Sequence, residues 1–252
     1  MADENRSEAP KVAEPSFYNL GATVVTIHVG TGRVPFAVHK DLLCYYSAYF
    51  QKLFNGSFRE AKDLLARAED TTVSTFGYFM QWLYTQTFVR YKMHAWERVA
   101  ISTTDHYANS FNPPYLHTLL DLYIFADRYD IRLLRNDVMR SWQKDETDWD
   151  EISDEDIIIK AFDNLPHGSP LCRYIAQYYV ALCGRNLDSD EEFWSKLPKG
   201  FLYEVVRILT KRLNSDYKFD QESCDFHEHE DDDEKSMCTN ERKLSEDAEC
   251  GF

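Results

Sequence analysis

The stretch Val24-Val25-Thr26-Ile27-His28-Val29-Gly30-Thr31-Gly32-Arg33-Val34-Pro35-Phe36-Ala37-Val38-His39-Lys40 changes its apolar period at its end, and that change decides the fold class. Val25, Ile27 and Val29 alternate with Val24, Thr26 and His28. After Gly30-Thr31-Gly32 the alternation resumes at Val34, Phe36 and Val38. A period of two on both sides of a glycine-rich turn predicts a hairpin with one apolar face. Pro35 has no N–H to give to a ladder, which places the second strand at a sheet edge or makes it locally irregular there. Past Lys40 the apolar residues fall at Leu42, Tyr46, Tyr49, Phe50 and Leu53, the spacing of one helix face. Asn55-Gly56 reads as the stop of that helix, glycine tolerating the left-handed conformation of a helix end. Lys62 to Arg67 reads as a short strand. Strands and helices mixed within so short a stretch give an α+β fold.

Further along, Asp70-Thr71-Thr72 offers capping oxygens for a helix with the stripe Val73, Phe76, Met80 and Leu83. Residues 86–114 lose the rhythm and end in Pro113-Pro114, the mark of an insertion closed by a stiff step. A strong helix follows, with Leu119, Leu122, Tyr123 and Ala126 on one face and a break near Asp130. Asp145 to Asp156 holds eight acidic residues and no basic one, and marks the internal boundary. Ser153-Asp154-Glu155-Asp156 ahead of Ile157 resembles a capping box. A turn at Leu165–Pro170 leads to the stripe Leu171, Ile175, Tyr178 and Leu182. The last periodic helix carries Leu202, Val205, Val206, Leu209 and Leu213, with Lys211 and Arg212 at its end, where the helix dipole favours cations.

The charge of the 252-residue chain, −15, is uneven. Residues 220–252 hold 13 Asp and Glu against 3 Lys and Arg, so most of the excess sits on the C-terminal stretch. Neither part offers the basic field that nucleic acid or an anionic membrane would require, so neither is expected as a partner. The N-terminus lacks the basic start and apolar core of a secretory signal, and no run is long and apolar enough to span a bilayer. The six cysteines are scattered without a Cys-x-x-Cys pair, the usage of reduced thiols in a cytoplasmic or nuclear protein. No Gly-rich phosphate loop, Gly-x-Ser-x-Gly elbow or His-Glu-x-x-His is present, which speaks against an enzyme, and no cofactor is expected.

Three stretches taken in order carry a family resemblance. Phe36-Ala37-Val38-His39-Lys40-Asp41-Leu42-Leu43 with Ser47-Ala48-Tyr49-Phe50, then Phe79 to Thr85, then Leu122-Tyr123-Ile124-Phe125-Ala126-Asp127-Arg128-Tyr129-Asp130-Ile131 together resemble the BTB/POZ domain over residues 20–142. The resemblance implies a small mixed sheet flanked by helices and a protein–protein interaction function. Residues 151–213, with Gly168-Ser169-Pro170-Leu171-Cys172-Arg173 inside them, resemble the all-α C-terminal extension of the fungal branch of the family. Residues 1–16 and the acidic tail 218–252 are expected to be disordered. Two features depart from the family pattern: the length of the 86–114 insertion, and Ala22-Thr23-Val24-Val25 where the first strand often begins with an acidic residue.

The resemblance also implies partners. BTB adaptors of cullin-RING ubiquitin ligases use a hydrophobic-x-Glu motif, and Phe58-Arg59-Glu60 stands in that place, which makes Phe58 and Glu60 the candidate partner-binding residues and a cullin scaffold the candidate partner. The competing reading is that Phe58 closes the domain's own core and Glu60 is solvated. A BTB scaffold that recruits corepressors without binding a cullin is the alternative function, although no zinc-finger spacing or basic DNA-reading segment accompanies the domain. Self-association stays open. Residues 1–16 have too few apolar positions for an exchanged N-terminal helix, which favours a monomer or weak dimer. His39 and Asp127 are expected to be structural rather than catalytic. Tyr45, Trp82 and Tyr84 are candidates for an interface. Cys224, His227, His229 and Cys238 are metal-capable, but Cys-x-x-His-x-His with a fourth ligand further on matches no known zinc module, and no metal is expected there.

Overall fold

The computed structural model describes residues 15–16, 18–87, 114–149, 154–183, 191–214 and 224–239. Residues 1–14 of the expected disordered N-terminus and all but the ends of the 86–114 insertion fall outside them. By packing the chain divides into two compact units, 1–72 and 73–252.

The first unit is built on a three-stranded mixed sheet of order β2-β1-β3. β1 (Val24–Val29) and β2 (Val34–His39) pair antiparallel, with Ile27 opposite Phe36 and His28 opposite Pro35. The turn between them needs positive φ at Gly30 and Arg33, and the Arg33 N–H closes it on the Gly30 carbonyl at 3.0 Å. As the alternation predicts, Val25, Ile27 and Val29 are fully buried, and β2 with its proline lies at the edge. β3 (Leu65–Ala68) runs parallel to β1 on the other side.

The stripe from Leu42 to Leu53 does not form one helix. α1 (Lys40–Tyr46) and α2 (Ala48–Asn55) are separated by Ser47, which closes the first and opens the second. The Ser47 N–H bonds the Leu43 carbonyl at 3.1 Å, and its Oγ accepts from the Phe50 N–H at 3.1 Å. A serine that satisfies orphan groups of two helices at once turns the chain between them. Tyr49 consequently points outward, while Phe50 and Phe54 stack inside at 6.1 Å. α3 (Arg59–Asp63) takes the first two residues of the stretch expected as a strand, Leu64 (φ 51°) turns the chain, and β3 holds the rest of it from Leu65 on.

The second unit is helical. α4 (Val73–Thr85) buries Phe76, Phe79, Trp82 and Leu83, with Val73 exposed. α5 (Pro114–Arg128) is the central helix: Leu116, Leu119, Leu120, Leu122, Tyr123, Phe125 and Ala126 are all buried, which requires neighbours on most of its circumference. It packs against α4, α6 (Arg132–Trp149) and α7 (Glu155–Asn164). The break at Asp130 is a Schellman turn. Asp130 takes φ 49°, the Ile131 N–H reaches the Ala126 carbonyl at 2.8 Å and the Asp130 N–H reaches that of Asp127 at 3.2 Å.

α6 runs into the acidic stretch as far as Trp149, and α7 begins at Glu155, still within it. The capping signal there is real. Asp154 caps α7, its Oδ1 accepting from the Ile157 N–H at 2.9 Å. The same carboxylate lies 3.6 Å from the buried His117 ring of α5, and Lys160 pairs with Asp121 at 2.5 Å, so α7 shares one core with α5. α8 (Pro170–Cys183), α9 (Glu191–Lys196) and α10 (Lys199–Asn214) follow. On α10 the buried face is Phe201, Val205 and Ile208, not the full expected stripe: Val206 and Leu213 are exposed.

The stretch expected as a structureless acidic tail is folded over 224–239, as a 3₁₀ turn (Cys224–Phe226) and a helix, α11, over 232–239. The reason is a set of specific partners for its acids. Arg135 forks onto Glu228 at 2.5 and 2.6 Å, Asn136 binds both backbone groups of Glu228, and Arg132 pairs with Glu230 and Glu234 at 3.0 and 2.9 Å. The Phe226 ring, buried, meets Tyr174 edge to face at 5.0 Å.

Candidate functional site

Phe58 and Glu60 lie where α2 passes into α3. α2 stops at Asn55, and Gly56 follows in an extended conformation (φ −86°, ψ −167°) rather than the expected left-handed one. Glycine is needed there for space. A Cβ at Gly56 would stand 2.6 Å from the Lys52 carbonyl oxygen and 3.1 Å from the Phe58 ring. The ring therefore lies close against the end of α2, yet Phe58 remains 55% exposed. Its backbone (φ −69°, ψ 160°) opens α3 without a side-chain cap.

Glu60 is half-buried in the first turn of α3, where the helix dipole favours a carboxylate. Its carbonyl accepts from the Leu64 N–H, and the Leu64 carbonyl accepts from Thr26 of β1 at 2.8 Å. Arg59 and Asp63 pair across one helical turn at 2.8 Å, both well exposed, a contact of little energetic weight. The short helix is thus tied at one end to α2 and at the other to the sheet. It carries an exposed aromatic at its N-cap and a carboxylate in its first turn, residue types that protein interfaces use as apolar anchor and orienting charge. The alternative, that Phe58 completes the core, does not hold; Phe50 and Phe54 fill that role.

Other singled-out residues fall elsewhere. Tyr45 is partly exposed in the same unit, edge to face with Tyr46 at 4.9 Å. Trp82, expected as an interface residue, is fully buried, its Nε1–H donating to Asp137 Oδ2 at 2.8 Å; Tyr84 is half-buried. His39 is the last residue of β2 and precedes α1 without a side-chain cap bond. Asp127 is half-buried, and burial pushes its carboxyl above the usual range against the opposing pull of Arg135. Burial also pushes the thiols of Cys44 and Cys172 up to about 11, so neither is a thiolate nucleophile at neutral pH. Tyr49, missed as a surface residue, could have been recognised only by reading Ser47 as a cap.

Residues 22–97 match the BTB/POZ domain family model. The match takes in the whole sheet, α1 to α4, and both Phe58 and Glu60. BTB/POZ domains are protein-interaction domains, and the architecture is a BTB domain with a small mixed sheet followed by further helices, an α+β chain with a helical C-terminal region. No curated protein matches the chain. Among the described residues no helix is long and apolar enough to cross a membrane.

Proposed function

We propose that this BTB chain is a non-enzymatic adaptor that engages a cullin scaffold through Phe58, with Glu60 orienting the contact, in the cytoplasm or nucleus. The observation that carries the reading is the exposed Phe58 ring on a helix anchored at both ends, inside the segment that matches the BTB family. An exposed aromatic held this way loses little freedom on binding and can fill a partner's pocket. The helices after the domain, of the kind the fungal branch carries, are the part left for a client.

Calorimetric titration of the full chain with a cullin N-terminal domain tests the reading, with a Phe58→Ala, Glu60→Ala variant alongside. Micromolar or tighter binding that weakens at least about 30-fold in the variant, roughly the 2 kcal/mol of a hot spot, supports it. Absence of binding, or equal binding by the variant, rejects it in favour of a BTB scaffold of another kind.

A further inference from the structure

Cys224, His227, His229 and Cys238 are brought together by the fold of 224–239. One ligand atom from each, two sulfurs and two ring nitrogens, lies within 4.8 Å of all the others, and all four residues are half-buried. Cys224 Sγ is 2.9 Å from His229 Nε2, and Cys238 Sγ is 3.3 Å from His227 Nδ1. A tetrahedron with zinc–sulfur and zinc–nitrogen bonds of ordinary length has edges of about 3.3–3.8 Å, so the observed spacings surround that value.

The supporting contacts are those a ligand set needs. His227 Nε2 is 3.2 Å from Gln143 Oε1, an amide oxygen that can only accept, so Nε2 carries the proton and the Nδ1 lone pair faces Cys238. Metal-bound histidines are held in their tautomer by such a bond on the second nitrogen. Arg140 donates to Cys238 Sγ at 3.7 Å. His229 meets Cys224 through Nε2, and its buried Nδ1 has no hydrogen-bond partner among the described residues, so this ring lacks the second-nitrogen bond that His227 has. The backbone carrying the four residues is fixed independently, by Glu228 on Arg135 and Asn136 and by Phe226 on Tyr174.

We propose that Cys224, His227, His229 and Cys238 form a structural zinc site that closes residues 224–239 on themselves, the closed segment meeting α6 through Gln143 and Arg140. Two sulfur and two imidazole donors exclude calcium and magnesium, which take oxygen ligands, and suit a tetrahedral zinc ion. Four protein ligands leave no open position for a substrate, so the site is structural. On binding, the two thiols each release a proton and the two thiolates cancel the charge of the dication.

The test uses the full chain without a histidine tag, produced in zinc-supplemented medium and purified under reductant. Elemental analysis is expected to find about one zinc per chain, and the cobalt-substituted protein to show the intense visible bands and thiolate charge-transfer absorption of a tetrahedral S₂N₂ site. A Cys224→Ser, Cys238→Ser variant is expected to lose both, and Gln143→Ala to bind zinc about 10–100-fold more weakly. Zinc below about one-tenth of an equivalent in the unaltered chain overturns the proposal. So does the weak spectrum of octahedral cobalt, undiminished zinc in the double variant, or a Cys224–Cys238 disulfide in protein kept reduced. The cobalt spectrum of the unaltered chain decides the matter even where a variant fails to fold.

Discussion

At the scale of single residues, two positions control whether the Phe58 surface exists. Ser47 turns the chain between α1 and α2, and Gly56 lets the Phe58 ring approach the end of α2. Substituting Gly56 by Ala adds a methyl group 2.6 Å from a backbone carbonyl oxygen, which cannot move aside as a flexible side chain would. The extended φ of Gly56 is open to any residue, so the cost is steric and not conformational. Gly56→Ala is expected to lose about 1–3 kcal/mol in urea unfolding, the usual cost of overpacking. A variant as stable as the original chain would mean that the α2–α3 junction is loose and that Phe58 is not held as described. The four metal-capable residues show the opposite relation between sequence and site. Their types were legible, but their spacing fits no known module, because the contacts that gather them come from Arg135, Asn136 and Gln143, about ninety residues earlier in the chain.

At the scale of elements, alternation and turn chemistry made the β1–β2 hairpin and its edge proline legible, as did the stop at Asp130 and the cap at Asp154. What the sequence concealed were places where periodicity continues through a boundary. The stripe from Leu42 to Leu53 runs across Ser47 without a missed beat, and α6 carries on into the first residues of the acidic stretch before it ends at Trp149. On α10 the leucines and valines outnumber the positions that face the core, so pattern alone could not choose among them. A part-buried polar contact that no pattern shows links α4 to α6: Trp82 Nε1–H on Asp137. Burial pushes the Asp137 carboxyl above the usual range, with Trp82 and Arg140 pulling the other way. A carboxyl whose folded pKa exceeds its unfolded one is a liability once pH rises through the carboxylate range, because the unfolded chain ionises first. Asp137→Asn keeps an acceptor for Trp82 and removes the charge. Its stability relative to the original chain is therefore expected to be lowest in acid and to rise toward neutral pH, as read by urea midpoints across that range. Asp137→Leu leaves the indole N–H unsatisfied and is expected to cost about 1–3 kcal/mol at any pH.

At the scale of the whole chain, residues 224–239 change from a dispensable acidic tail into part of the helical unit. Arg135 is the reason. Its side chain is only 11% exposed, and its carboxylate partner at hydrogen-bonding distance among the described residues is Glu228, with Asp130 3.7 Å away and exposed. Removing residues 218–252 would leave a guanidinium largely buried with one carbonyl bond, to Ala126 at 3.1 Å, and would strip Phe226 from the Tyr174 ring. Breaking a buried pair from one side is worth about 3–5 kcal/mol, and the partial exposure of Glu228 places the loss at the lower end, with a few degrees of thermal midpoint for each kcal/mol. Truncation is thus expected to lower the thermal midpoint by roughly 5–15 °C. Adding Arg135→Met to the truncated chain should recover a substantial part of the loss, since an apolar side chain of similar length fills the space without an unpaired charge. A truncated chain as stable as the full one would return 218–252 to the status of a solvated tail. A loss that Arg135→Met does not relieve would place the stabilisation in the Phe226 contact and the metal ligands instead of the ion pair.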